Sequence, residues 1–200
     1  MSWIEVDYDD AKWLWVPQRW EGLPWPGPAE WAEAFAEAWW TLADVEPGGD
    51  EEEVARLRDA LLQYATRAGE VFPGQDLYLY LPDPRQAPVP LAVWGLAAAG
   101  DRNDRLRELV RSMDDEAVEP PIVELFRHPH LGNGLRAMRY FTDPDDGTLG
   151  CSLNFAFRSE PRGVDVLVRA ISGDVGRLAA AAQDMDELAL AVRVRRDEDR

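Results

Sequence analysis

The chain has 200 residues, of which 46 % are apolar and 30 % charged, a balance that specifies a folded globular protein and excludes a disordered tail. Its 38 acids against 21 bases give a net charge of -17, which repels nucleic-acid phosphates and anionic lipid, so direct nucleic-acid binding is not expected. The one cysteine, Cys151, excludes an internal disulfide framework and a multi-cysteine zinc site.

No apolar run reaches the ~18 residues of a membrane span. The start, MSWIEVDYDD, lacks the basic and apolar stretches of a signal peptide, so a cytoplasmic protein without membrane insertion is expected. The acidity is uneven: residues 1–100 carry 18 acids and 6 bases, residues 101–200 carry 20 and 15. Twenty of the bases are arginine, which together with abundant Ala, Gly and Pro suggests a high-GC, actinobacterial genome.

Residues 1–28 form an arm rich in Trp and Pro. Ile4 to Tyr8 alternates like a strand and Lys12 to Val16 suits a second, whereas the prolines of 23–28 forbid a helix. A helix is expected from Pro28, with Trp31, Phe35, Leu42, Ala34, Ala38 and Trp39 inward and Glu30, Glu33 and Glu37 on the other face. Pro47-Gly48-Gly49 stops it. Asp50 and Glu53 are placed to cap a second helix with the stripe Val54, Leu57, Leu61, Tyr64 and Ala65, so 29–70 reads as a helical hairpin.

The period then changes to two. Strands are expected at 77–81, Val89–Leu96, Ile122–Phe126 and Leu135–Phe141, with a helix over Asp101–Met113. After a turn at 143–147, Leu149, Cys151, Leu153, Phe155 and Phe157 alternate with Ser152 and Asn154 as a half-buried strand. Val164, Val166 and Val168 mark another strand, Ser172–Asp186 a helix and 188–194 a closing strand, with 196–200 as a frayed tail. The expected fold is α+β in a single domain: an antiparallel sheet of five to seven strands with helices on one face over 76–195, plus an N-terminal helical hairpin.

Motifs for chemistry are weak. His128-Pro129-His130, placed in a loop by its proline, is the only histidine cluster. It lacks a third ligand nearby, so neither metal nor cofactor is expected. Gly132-Asn133-Gly134 has no following Lys and reads as a turn, not a phosphate loop. Asp143, Asp145 and Asp146 miss the calcium-loop register. Cys151 falls on the apolar face and reads as inert.

Two patterns carry more. Eight of the nine tryptophans lie in the first 40 residues, as a local core pinning the arm or as an aromatic surface for a partner. Adjacent Trp39 and Trp40 point ~100° apart, which favours exposure of one of them. Arg136, Arg139, Arg158, Arg169, Arg193 and Arg195 fall on expected strands, as ion-pair partners or as a patch for an anionic ligand.

Val16-Pro17-Gln18-Arg19-Trp20 resembles the strand entry of the Mog1/PsbP-like group. The strand–turn–strand, the helix ending at Asp186-Glu187-Leu188-Ala189 and the strand Val192-Arg193-Val194 are similar to that group's C-terminal layout, and also to uncharacterised actinobacterial proteins. The resemblance lies mostly in 120–195. It implies a non-enzymatic binding module, accessory factor or secretion-related chaperone, with no catalytic residues.

The resulting expectation is an acidic protein-binding factor (adaptor, chaperone or immunity-type) for a partner with a basic surface, docking through Glu30, Trp31, Glu33, Glu37, Trp39 and Trp40. The alternatives are a small-molecule enzyme or metalloprotein using His128 and His130, and an acidic nucleic-acid mimic occupying a basic partner.

Overall fold

A computed structural model describes residues 4–42, 51–144 and 146–195. In chain order the elements are β1 (Ile4–Val6), β2 (Trp13–Val16), α1 (Pro28–Leu42), α2 (Glu51–Val71), β3 (Asp76–Tyr80), β4 (Val89–Ala97) and α3 (Arg102–Leu109). Then follow β5 (Ile122–His128), β6 (Gly132–Thr142), β7 (Leu149–Ser159), β8 (Val164–Ser172), α4 (Val175–Ala180), α5 (Ala182–Ala191) and β9 (Val192–Val194). The content is α+β with antiparallel pairing, as expected. The chain divides into two compact units, residues 9–89, and residues 1–8 together with 90–200.

In the 9–89 unit β2 pairs antiparallel with β3, Trp13 opposite Tyr80 and Val16 opposite Leu77. α1 and α2 pack against each other, and α2 touches β2. Leu57, Leu61, Ala65 and Ala68 recur at three- and four-residue spacing on α2, so one stripe of that helix is buried. They join Trp31, Ala32, Ala36, Trp39 and Trp40 of α1 and Leu14, Val16, Leu77 and Leu79 of the strands in one core. The inward face of α1 is therefore rotated from the expected one: Ala34 and Ala38 are exposed and Leu42 is 77 % exposed. Strands precede the helices, so the helix pair is not the N-terminal element. The expected Asp50 cap and the 47–49 stop lie outside the described residues.

The arm, residues 17–27, is held by its rings. Trp20 lies edge-on to Trp31 at 6.3 Å and Trp25 against Phe35 at 5.0 Å. Gln18 donates to the carbonyl of Phe72 at 2.8 Å, and also to that of Gln75, joining the arm to the end of α2.

The second unit is built on the antiparallel order β4-β8-β7-β6-β5. A separate antiparallel pair is formed by β1 and β9, Ile4 opposite Val194. β7 is buried from Gly150 to Ser159, so it is covered on both faces and not half-buried. Its first residue, Leu149, is 48 % exposed and leaves the expected apolar row.

The reason is that helices cover both faces. Leu106, Leu109 and Val110, on α3 and its end, pack on Ala137, Ala156 and Leu167. Arg136 and Met138 point to the opposite face, where Arg136 reaches Asp186 of α5 at 2.8 Å and α4 packs on β7 and β8. Asp101 caps α3, accepting from the backbone N–H groups of Asn103 and Asp104 at 2.8 and 3.1 Å. The single helix expected over 172–186 is two helices meeting at Ala181. Residues 188–191, expected as strand, complete α5, because Leu188 and Ala189 sit with Met185 on its buried stripe.

Candidate binding sites

The tryptophans expected at a docking surface are core residues. Trp31, Trp39 and Trp40 are 1 %, 7 % and 8 % exposed. Trp39 Nε1 donates to the carbonyl of Leu81 at 2.6 Å. Both neighbours on α1 are buried because the arm and the β2–β3 pair lie in the same core as α2, giving this helix a wide apolar face. Glu30, Glu33 and Glu37 are exposed, as expected.

His128 is not in a loop but ends β5, with 1 % exposure. Its Nδ1 accepts from the backbone N–H groups of His130 and Leu131, both at 3.0 Å, and so closes the turn into β6. Burial, then the neighbouring His130, pushes its pKa down to about 4. With Nδ1 accepting from backbone, the proton of the neutral ring sits on Nε2, so neither nitrogen presents a lone pair to a metal, and no metal-binding group of three or more His, Cys, Asp or Glu occurs among the described residues. Gly132-Asn133-Gly134, expected as a turn, opens β6 instead. Cys151 is buried and its thiol is pushed up to about 11, chiefly by burial, which keeps it protonated.

The strand arginines divide. Arg158 forms a two-pronged pair with Asp165, Arg136 joins Glu124 and Asp186, and Arg195 lies 3.9 Å from Glu5. Arg139 pairs with Asp114. Among the described residues Arg169 pairs with no carboxylate. Its Nε donates to Asn154 Oδ1 at 2.6 Å, Nη2 donates to the Leu109 carbonyl at 3.2 Å, and its guanidinium lies 5.5 Å from the Trp94 ring centre.

Arg139 and Arg169 share one face on either side of β7, since Arg139 lies opposite Ser152 and Arg169 opposite Asn154. Arg111 completes the group from just beyond α3, with a positive φ of 56°. These three, with Ser152, Phe141, Thr142, Glu116 and Ile171, line a cavity of about 460 Å³. Sequence reading missed Arg111 because it lay inside an expected helix.

A larger groove, about 1090 Å³, runs between the end of α3 and β5. β5 is an end strand of the sheet, and its far edge is unpaired among the described residues. Val123 and Leu125 form the groove's apolar side together with Leu135 and Met113; Leu125 is 84 % and Met113 88 % exposed. Its other lining includes Asp104, Glu108, Asp114, Glu116 and Glu124, against Arg107 and Arg111. This surface had no sequence signal beyond one apolar run, Ile122-Val123, followed by Leu125.

Compared with models of known protein families and with curated proteins, the chain matches none. No helix among the described residues is long and apolar enough to cross a membrane.

Proposed function

We propose that this chain is a non-enzymatic protein-binding factor of the adaptor, chaperone or immunity type, which takes a partner with a basic, extended segment along β5. The observation that supports it is the unpaired edge of β5 beside a groove with apolar side chains and an acidic rim. An open strand edge offers a row of N–H and C=O groups to a second strand, and alternate side-chain contacts supply specificity. Leu125 and Met113 are too exposed to be explained by this chain's own core. The carboxylates around them favour Lys and Arg in the incoming segment, and the net charge of -17 speeds the encounter. This moves the docking surface from α1, whose tryptophans are committed to the core, to the other unit.

The test is binding of labelled basic peptides with alternating apolar residues, followed by fluorescence anisotropy. Leu125→Asp weakens binding by about tenfold or more if Leu125 is an anchor, and added salt slows association. Reversal of Glu108 and Glu124 lowers the on-rate. If reversal of Glu30, Glu33 and Glu37 slows association while Leu125→Asp changes nothing, the α1 surface is the docking site and the β5 reading fails.

A further inference from the structure

The cavity under Arg111, Arg139 and Arg169 is cationic in an otherwise acidic protein, and its chemistry differs from that of the β5 groove. One carboxylate, Asp114, serves two of the three guanidinium groups: it pairs with Arg139 and lies 3.6 Å from Arg111. Arg169 has none. Among the described residues Glu116 is the carboxylate in the cavity lining itself, and it is exposed. Among the described residues three cations thus meet two carboxylates, and Arg169 is the cation without a carboxylate partner.

The donors that remain point to a ligand rich in oxygen. Arg139 uses Nε on Asp114, and its guanidinium carbon lies 4.7 Å from the Phe141 ring centre, which orients the Nη fork. Asn154 Nδ2 donates to Ser152 Oγ at 3.0 Å, so the Ser152 hydroxyl hydrogen is available as a donor on that buried wall. Phe141 and Ile171 supply apolar walls. A volume of about 460 Å³ lies within the range of small-molecule sites.

Arg111 is positioned by the end of α3. An L-residue at φ 56° is strained by Cβ, and glycine is the usual occupant of such a position after a helix. Here arginine stands there, at the rim of the cavity, half-exposed and 3.6 Å from the largely buried carboxylate of Asp114. The left-handed turn is held by the Arg111 N–H on the Glu108 carbonyl at 3.0 Å and the Ser112 N–H on the Arg107 carbonyl at 2.9 Å, and this ending of α3 sets the Arg111 side chain at the cavity.

We propose that this cavity binds a small organic phosphate, with Arg111, Arg139 and Arg169 on the phosphate oxygens, Ser152 donating a further hydrogen bond, and Phe141 and Ile171 against the organic part. Planar guanidinium forks match phosphate oxygens in pairs, and a dianion offsets the excess positive charge. In support, burial together with Arg111 and Arg139 pushes Arg169 down to about 10, as befits a cation short of counter-charge.

The test is calorimetric titration of the full chain with inorganic phosphate and with phenyl phosphate. The expected result is saturable binding of both, tighter for phenyl phosphate, and no response to chloride at matched ionic strength. Arg169→Met weakens it by about tenfold or more, the size expected for a desolvated charge-assisted contact. Because Arg169→Met also removes the bonds to Asn154 and Leu109, Arg111→Gly is the decisive variant: it raises the unfolding midpoint without ligand while weakening phosphate binding severalfold. An arginine with a purely structural role would give lower stability and unchanged binding. Absence of saturable binding, an equal response to chloride, or binding indifferent to Arg111→Gly overturns the proposal.

Discussion

Arg158 on β7 and Asp165 on β8 are direct cross-strand partners, joined by Nε–Oδ1 at 2.6 Å and Nη2–Oδ2 at 2.9 Å, with both side chains buried. The remaining guanidinium capacity goes to the carbonyls of Gly100 and Ala99 at 3.0 and 2.8 Å, just before α3 begins. One pair therefore joins two strands to the entry of a helix. Arg105 of α3 adds a second cation 3.8 Å from Asp165.

Removing one member of a buried pair leaves the other charge uncompensated. Asp165→Ala is expected to cost about 3–5 kcal/mol, while replacing both residues with apolar ones of similar volume costs much less. Urea unfolding of the single and double variants measures the difference. Equal losses in both would mean that the carbonyl bonds of Arg158, not the carboxylate, hold the site.

His128 predicts an acid-sensitive fold. Its pKa is about 4 in the folded chain against an ordinary 6.5, so the unfolded chain binds the proton more tightly. The contribution is intact above pH 6.5 and is lost as pH falls toward 4, on the order of 3 kcal/mol in all. His128→Gln keeps an acceptor for the turn but does not titrate. The difference in unfolding free energy between wild type and this variant should shrink across that window. A constant difference would show that His128 does not titrate with folding.

Gly134 is required by packing. A Cβ there would collide with the Phe157 ring and the Ala156 carbonyl of the neighbouring strand. Gly134→Ala should cost about 1–3 kcal/mol through overpacking, read as a lower thermal midpoint. An unchanged midpoint would mean that Phe157 swings aside freely.

Trp39→Ala is expected to act on stability. It removes a buried indole and the bond to the Leu81 carbonyl, at about 3–5 kcal/mol. Trp39→Phe should lose less, since most of the ring volume stays. Denaturant unfolding checks both. A Trp39→Ala variant of wild-type stability that loses only partner binding would return Trp39 to the docking surface.

The local period of apolar residues was enough to identify most elements, because a strand or helix with one buried face writes its geometry into neighbouring residues. Leu77 to Leu81, Val89 onward and a helix after Asp101 were legible in this way. The acidity is likewise a property of composition alone. What periodicity does not carry is which second element covers the other face. Ser152, Asn154 and Asp165 look solvent-facing in sequence and are buried, because α3, far from them in the chain, lies on that face, arginines satisfy the oxygens of Asn154 and Asp165, and Asn154 donates to Ser152. The same limit hid both proposed binding surfaces. The unpaired edge of β5 is set by strand order, and the cavity needs Arg111, Arg139 and Arg169 from three separate elements. The folding of 188–191 into a helix was decided by burial of Met185, Leu188 and Ala189 on one stripe of α5, where tertiary packing overrides an alternating pattern too short to hold a strand.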